Sequence, residues 1–140
     1  MTLTHTVSSI VVVSVAALLS GCGSVTLTNP SMVEGVNWRL QRLERNGQRA
    51  VTVATPDRYT LSFTPEKRLA VRSDCNQCAG GFDLVDGRLS VGPLACTKAF
   101  CGEQSLDADY TAILAEAQSL EKSGDELVLR SSRGTLRFRP

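Results

Sequence analysis

Histidine is nearly absent from this sequence: the single one is His5, close to the N-terminus. The rest of the chain has no imidazole to act as a general base or to bind a metal, which excludes Ser-His and Cys-His catalysis there. Neither a phosphate-binding P-loop nor a Gly-x-Gly-x-x-Gly motif occurs. We therefore expect no catalytic residue, no metal and no cofactor, and we predict that the protein is not an enzyme.

An excess of charge of either sign is also missing, because 15 Lys and Arg residues face 14 Asp and Glu residues. A net charge of +1 gives no electrostatic basis for binding nucleic acid, so we expect no nucleic-acid partner. Aromatic residues are scarce too, at 5% of the chain. A small domain with so few large apolar side chains leaves a substantial share of its stability to other sources, such as disulfides.

The most apolar part of the sequence lies near its start, from Val7 to Leu19, and contains three serines. Its strongest stretch, Ile10 to Leu19, has the length of the apolar core of a signal peptide and is too short to span a bilayer. A buried N-terminal helix or strand is the alternative. The region before this stretch contains no Lys or Arg, unlike most export signals.

The apolar stretch ends in Leu19-Ser20-Gly21-Cys22, which resembles the lipobox of bacterial lipoproteins. In that motif, small residues enter the peptidase cleft and the cysteine thiol receives the lipid. We therefore predict a signal peptide over residues 1–21, lipidation at Cys22 and a short, uncharged tether over residues 22–33. The lipid, with acyl chains such as palmitate, would attach the protein to a membrane.

Alternation of apolar and polar residues predicts short antiparallel strands in most of the remaining chain, with Asp86-Gly87 as a strong hairpin turn. The period becomes helical from Leu106 to Ala117, with Leu120 three residues further on. We predict one domain over residues 34–140 with an α+β, mainly β fold: a curled antiparallel sheet or open barrel of about seven strands with one covering helix. The predicted strands cover residues 37–44, 59–63, 68–72, 82–85, 88–91, 126–130 and 134–139.

Four further cysteines follow the tether, and they permit three connectivities. Cys78 and Cys96 lie one residue out of the register set by the Asp86-Gly87 turn, which a single β-bulge absorbs. Cys75 and Cys101 lie further out on the same hairpin. We therefore predict the nested bridges Cys78–Cys96 and Cys75–Cys101. The alternatives are a redox pair, Cys75 with Cys78, or four thiolates around a metal.

Several segments resemble the META domain, the family of the heat-shock lipoprotein HslJ. They are Trp38-Arg39-Leu40, Cys75-Asn76 with Gly80-Gly81-Phe82, and Thr97-Lys98-Ala99-Phe100-Cys101. The resemblance covers residues 34–139 and implies a compact β-rich domain in the bacterial envelope, linked to stress tolerance, with no known reaction. Two residues depart from the family pattern: Asp74 stands where the family prefers Gly, and Asp107 replaces the usual Glu.

Taken together, the sequence predicts a non-enzymatic envelope lipoprotein that supports envelope integrity or stress tolerance through an unidentified protein or small ligand. Asn76, Thr97 and Lys98 form a possible binding cluster, although Asn76 and Thr97 are equally suited to satisfying backbone groups in irregular turns. In a bacterium with two membranes, Gly23 favours the outer membrane, facing the periplasm, because Asp at this position retains some lipoproteins at the inner membrane. The alternatives are a thiol-redox or metal-responsive sensor that uses Cys75 and Cys78, or a hydrolase inhibitor.

Overall fold

The computed structural model describes residues 27–140, so Cys22 and the predicted signal peptide lie outside the described residues. The described part contains ten β-strands, one α-helix and two single turns of 3₁₀-helix, at Pro30–Met32 and Pro56–Arg58. The α-helix, α1, spans Asp107–Ala115. The strands are β1 Trp38–Arg45, β2 Val51–Thr52, β3 Tyr59–Phe63, β4 Arg68–Ser73, β5 Asn76–Val85, β6 Arg88–Val91, β7 Ala95–Cys96, β8 Ala117–Ser123, β9 Glu126–Ser131 and β10 Gly134–Arg139.

Eight of these strands close into an antiparallel barrel in the order β1-β10-β9-β8-β6-β5-β4-β3, and β3 returns to β1. The closure between the first and last strands runs from Arg39 opposite Arg139 to Arg45 opposite Gly134. Gly134 is required there, because a Cβ at this position would overlap the Glu44 carbonyl. The predicted mainly β fold with one helix is confirmed, with the sheet closed rather than left open.

Buried and exposed residues alternate along β3, β4 and β5, and the buried ones fill the barrel interior, as the sequence pattern predicts. Trp38 is 1% exposed and its indole Nε1 donates to the Val33 carbonyl at 3.0 Å, which makes it a core anchor. Phe63 and Phe82 pack edge to face with ring centroids 5.0 Å apart. Within residues 27–140, no helix is both long enough and apolar enough to cross a membrane.

Helix α1 closes one end of the barrel, which we call the helix end. Tyr110, Ile113 and Leu114 are all 1% exposed or less and point into the interior. The Tyr110 hydroxyl donates to the Thr60 carbonyl at 3.0 Å, at the start of β3. Neighbouring strands are antiparallel, so strands that start at the helix end alternate around the barrel with strands that finish there. The N-terminus of β5, at Asn76, therefore lies at the helix end as well.

The opposite end is closed by a segment that precedes the barrel, residues 27–36, which we call the strap. Thr28 is 2% exposed, and its carbonyl accepts a hydrogen bond from the Gly87 N–H at 2.7 Å. Val33 is fully buried beside Trp38. The strap thus crosses the end at which the β5–β6 turn lies, and we call this the strap end.

The predicted helical period beyond residue 115 is wrong, because Ala117–Ser123 forms strand β8. Ala117 and Leu120 are both buried although they are three positions apart, an odd spacing that normally places strand residues on opposite faces. A register shift between Ala117 and Ser119 in the pairing with β9 explains this spacing, since a bulge turns two residues of one strand toward the same side. The bulge therefore mimics helical periodicity in the sequence.

Candidate functional site

The two predicted disulfides are both present, and both lie toward the helix end. Cys78 and Cys96 are direct partners across β5 and β7 with Cα atoms 4.0 Å apart, as the hairpin register predicts. Cys75 and Cys101 lie one step further out with Cα atoms 5.5 Å apart. Cys75 and Cys78 therefore do not pair with each other, and the alternative of a Cys-x-x-Cys disulfide is not formed.

We call residues 97–101 the stapled loop. It consists of the four residues between Cys96 and Cys101, together with Cys101 itself. One disulfide ties Cys96 to Cys78 within β5, and the other ties Cys101 to Cys75, the residue before β5. Gly80 allows the chain to approach β5 just before this loop, because a Cβ there would come within 2.8 Å of the Leu94 side chain. The loop is therefore cross-linked at both ends to one strand.

Asn76 holds the stapled loop from inside. It is 2% exposed, and its Oδ1 accepts from the Thr97 hydroxyl at 3.0 Å and from the Ala99 N–H at 2.8 Å. Its Nδ2 donates to the Ala99 carbonyl at 3.0 Å and to Asp107 Oδ2 at 3.1 Å. Nδ2 also lies 3.4 Å from Cys101 Sγ, so the two hydrogens of the amide are shared among three acceptors. Asn76 thus satisfies backbone groups of an irregular turn, as the sequence predicts.

The other two predicted binding residues lie on the outside of the loop. The Thr97 hydroxyl also accepts from the Gln77 N–H at 3.0 Å, so it joins β5 to the loop. Lys98 is exposed, and it makes no hydrogen bond or ion pair within the described residues. A depression of about 270 Å³ lies between this loop and α1. Of the three residues, Lys98 alone has a charged group available to a partner.

Phe100, at the tip of the stapled loop, was not singled out as a binding residue by the sequence. Its side chain is 83% exposed, the highest value among the large apolar residues of the described chain. A disulfide at each flank and the Asn76 contacts hold the loop that carries it. An exposed aromatic ring on a loop whose backbone is fixed is the kind of group that is enriched at protein interfaces. The sequence signal was present, namely an aromatic residue next to a bridged cysteine.

A second buried polar group at the helix end, Asp74, explains one departure from the family pattern. Its φ angle is +60°, a left-handed conformation that suits Gly and that Asp tolerates better than most residues. Its carboxylate is 4% exposed, pairs with Arg58 and accepts from the Tyr59 hydroxyl at 3.0 Å. The Tyr59 hydroxyl in turn accepts from the Leu106 N–H at 3.0 Å, just before α1. Asp74 thus links the β4–β5 turn to the start of the helix.

Polar contacts fix helix α1 to the barrel. The pKa values of two groups are shifted here, one by such a contact and the other by burial. Asp109 pairs with Arg45 at the end of β1, and this hydrogen bond raises the pKa of the Arg45 guanidinium. Burial raises the pKa of the Tyr110 hydroxyl well above its ordinary value. Among residues 27–140, no three His, Cys, Asp or Glu side chains cluster as metal ligands would.

Comparisons with known proteins agree with this architecture. An NMR structure of a protein from Burkholderia xenovorans is similar with a TM-score of 0.64 and 21% identity, covering 86% of this chain and 93% of that chain. A second NMR structure has a TM-score of 0.62 and 23% identity, covering 81% of this chain and 95% of that one. At these identities the similarities establish the fold alone. No curated protein matches the chain.

A crystal structure of a DUF4847 family protein from Bacteroides vulgatus has the same fold, with a TM-score of 0.59 and 10% identity over 78% of this chain and 94% of that chain. The family model of the META domain matches residues 31–140. This range includes every strand and the helix of the barrel. The chain belongs to the META domain family.

Proposed function

We propose that the protein is a non-enzymatic lipoprotein of the bacterial envelope that binds a partner with the helix end of its META domain. The observation that carries the proposal is the exposed ring of Phe100 on the stapled loop. Membership of a bacterial envelope-type family supports the location. The lack of histidine after residue 5 supports a binding role over acid-base catalysis.

The position of the strap gives this proposal a geometry. Four residues separate Cys22 from Leu27, so a lipid on Cys22 would lie within about 15 Å of the strap end when these residues are extended. The ten residues of β5 run from Asn76 at the helix end to Val85 at the strap end, so the two ends are about 30 Å apart along this strand. A barrel tethered in this way would face the membrane with the strap end and turn Phe100 away from it.

A fixed aromatic ring is a favourable contact for a protein partner. Binding an exposed side chain costs side-chain ordering, and phenylalanine has few rotatable bonds to lose. The loop backbone is already ordered by two disulfides and by Asn76, so its entropy is not lost again on binding. Lys98, two residues before Phe100, adds a charge at the rim of the same surface.

The anchor is tested by the mass and location of the full-length protein expressed in a bacterium. We expect the mature protein to begin at a lipidated Cys22 and to sediment with membranes. The Cys22→Ala variant should not be lipidated and should leave the membrane fraction or remain unprocessed. An unmodified N-terminus on wild-type protein from membranes would contradict the anchor without bearing on the binding surface.

The binding surface is tested by photo-crosslinking in intact cells with a photoreactive phenylalanine analogue at position 100. Val85 is the matched control, since it is 52% exposed but lies beside the turn at the strap end. We expect a discrete adduct with an envelope protein from position 100 and none from position 85. We also expect Phe100→Ala to restore less tolerance of envelope stress than wild type does in a strain that lacks the protein. Equal adducts from both positions, or turnover of an envelope substrate by the purified protein, would contradict the proposal.

A further inference from the structure

The two disulfides differ in how deeply their cysteines are buried. Cys78 is 5% exposed and packs in the barrel core, and its partner Cys96 is partly exposed but packs against the same core. Cys75 is exposed, in the turn before β5, and Cys101 is partly exposed. Attack by an external thiolate requires access to one sulfur along the bond axis, so the outer bridge is the accessible one.

The two sulfur atoms of the outer bridge also differ in their hydrogen bonds. Cys101 Sγ lies 3.2 Å from the Cys75 N–H and 3.4 Å from Asn76 Nδ2, and both groups are donors. Cys75 Sγ has no donor among the described residues. Both sulfur atoms lie near the Ala99 carbonyl oxygen, Cys101 at 3.6 Å and Cys75 at 3.9 Å, so the difference between them is in their donors. Hydrogen bonds to sulfur stabilise a thiolate, so Cys101 is the better leaving group.

We propose that the Cys75–Cys101 bridge is a thiol-exchange site, at which a small thiol or a protein dithiol attacks Cys75. The incoming thiolate sulfur forms a bond to Cys75 Sγ, the Cys75–Cys101 bond breaks, and its electron pair leaves on Cys101 as a thiolate. One disulfide is exchanged for another, so no further oxidant or reductant is needed. The product is a mixed disulfide at Cys75. A second thiolate, from the same dithiol or from another small thiol, then attacks the donor sulfur of this mixed disulfide, so Cys75 leaves as a thiolate and the donor ends as a disulfide.

Charged groups around the outer bridge are consistent with this direction of exchange. Asp107 opposes a negative sulfur, but its Oδ2 is neutralised in part by the same Asn76 amide at 3.1 Å. Arg58 and Asp74 line the groove beside Cys101 and are paired with each other, so their fields largely cancel. Glu103 lines the same groove without an ion pair among the described residues, but it is exposed, so solvent screens its charge. Cys101 thus keeps the Cys75 N–H as a donor and a share of the Asn76 amide.

Opening this bridge would release one flank of the stapled loop and leave the other intact. Cys96 remains tied to Cys78, and Asn76 continues to hold Thr97 and Ala99. Phe100 would then sit next to the freed Cys101. The exchange site therefore controls the rigidity of the surface at the helix end, although its chemistry does not depend on a lipid anchor or on a partner.

The test uses the purified, fully oxidised chain, treated with reduced glutathione at concentrations that reduce a disulfide in an unstructured peptide. Samples are quenched with acid and mapped by peptide mass spectrometry. We expect the outer bridge to open on the order of tenfold faster than Cys78–Cys96, with glutathione on Cys75 and a free thiol on Cys101. Equal opening rates, no opening, or glutathione mainly on Cys101 would each overturn the proposal.

A matched pair of variants tests the choice of leaving group separately. Cys75→Ser leaves Cys101 as a free thiol, and Cys101→Ser leaves Cys75, while both variants lack the same bridge. We expect alkylation rates to show that Cys101 ionises at a lower pH than Cys75, since the Cys75 N–H and Asn76 remain as donors. The reverse order would overturn the proposal even if the outer bridge opens first.

Discussion

Both ends of the barrel enclose buried polar side chains, but the two ends differ in what else holds them. At the helix end, Asn76 is 2% exposed, and two disulfides lie beside it. At the strap end, Thr28 is also 2% exposed, and its hydroxyl accepts from the Lys122 N–H at 2.9 Å. No described disulfide reaches the strap, which rests on hydrogen bonds from Gly87 and Lys122 and on the buried Val33.

This difference fits the two roles that we propose for the ends of the barrel, binding at the helix end and attachment at the strap end. A surface that binds by shape benefits from covalent cross-links, because these restrict the loop before any partner arrives. A segment that leads to a tether needs only to be fixed to the barrel, and backbone hydrogen bonds suffice. Variants of the buried polar residues measure how far the two ends really differ.

The largest effect is expected from Asn76→Ala. This change leaves both Ala99 backbone groups without their partner, and we expect a loss of about 3 kcal/mol in the free energy of unfolding. Urea unfolding of the oxidised protein measures it. Gln77→Ala is the matched control: its side chain is exposed and its described contact is through the backbone, so a change within about 0.5 kcal/mol is expected.

A smaller effect is expected from Thr28→Val at the strap end. Valine keeps the shape of threonine but leaves the buried Lys122 N–H without an acceptor, which should cost about 1–2 kcal/mol. Thr28→Ser keeps the hydroxyl and should lose markedly less, as measured by the same urea titration. A loss as large as that of Asn76→Ala would show that the two ends depend equally on one side chain, and the comparison would fail.

The smallest effect is expected from Tyr110→Phe, which removes the bond to the Thr60 carbonyl and should cost about 1 kcal/mol near neutral pH. Its signature is in the pH dependence. Burial raises the folded-state pKa of Tyr110, so its contribution is complete below the ordinary value of 10.0 and falls as the pH rises above it. Denaturation between neutral and alkaline pH should show a steeper loss in wild type than in Tyr110→Phe. Parallel curves would contradict this.

The sequence predicts the β5–β6 hairpin and both disulfides for a physical reason. A two-residue turn fixes register, and register fixes which cysteines meet; Phe82 stands opposite Val91, and Cys78 stands opposite Cys96. Strand β8 escapes prediction because its bulge gives buried residues a helical spacing. The two-residue strands β2 and β7 carry too few residues for any period to show.

The helix end is harder to predict than its bridges, because its polar contacts join residues distant in sequence. Asn76 and Asp107 are 31 positions apart, and nothing local marks them as partners. Asp74 did carry a signal, since a residue in the place of a preferred Gly suggests a left-handed backbone, which its φ of +60° confirms. Its contacts with Arg58 and Tyr59 could be identified only from the folded structure, because they are made in three dimensions.

The pairing of β1 with β10 has a consequence for the order in which the molecule can form. Arg39 stands opposite Arg139, so the barrel closes only when the last strand has been synthesised. Hairpins such as β5–β6 and β9–β10 join near neighbours and can form early, whereas the closing pair spans nearly the whole domain and is reached late. Until then β1 and β10 present unpaired edges, which are the sites where such a chain is most open to aggregation.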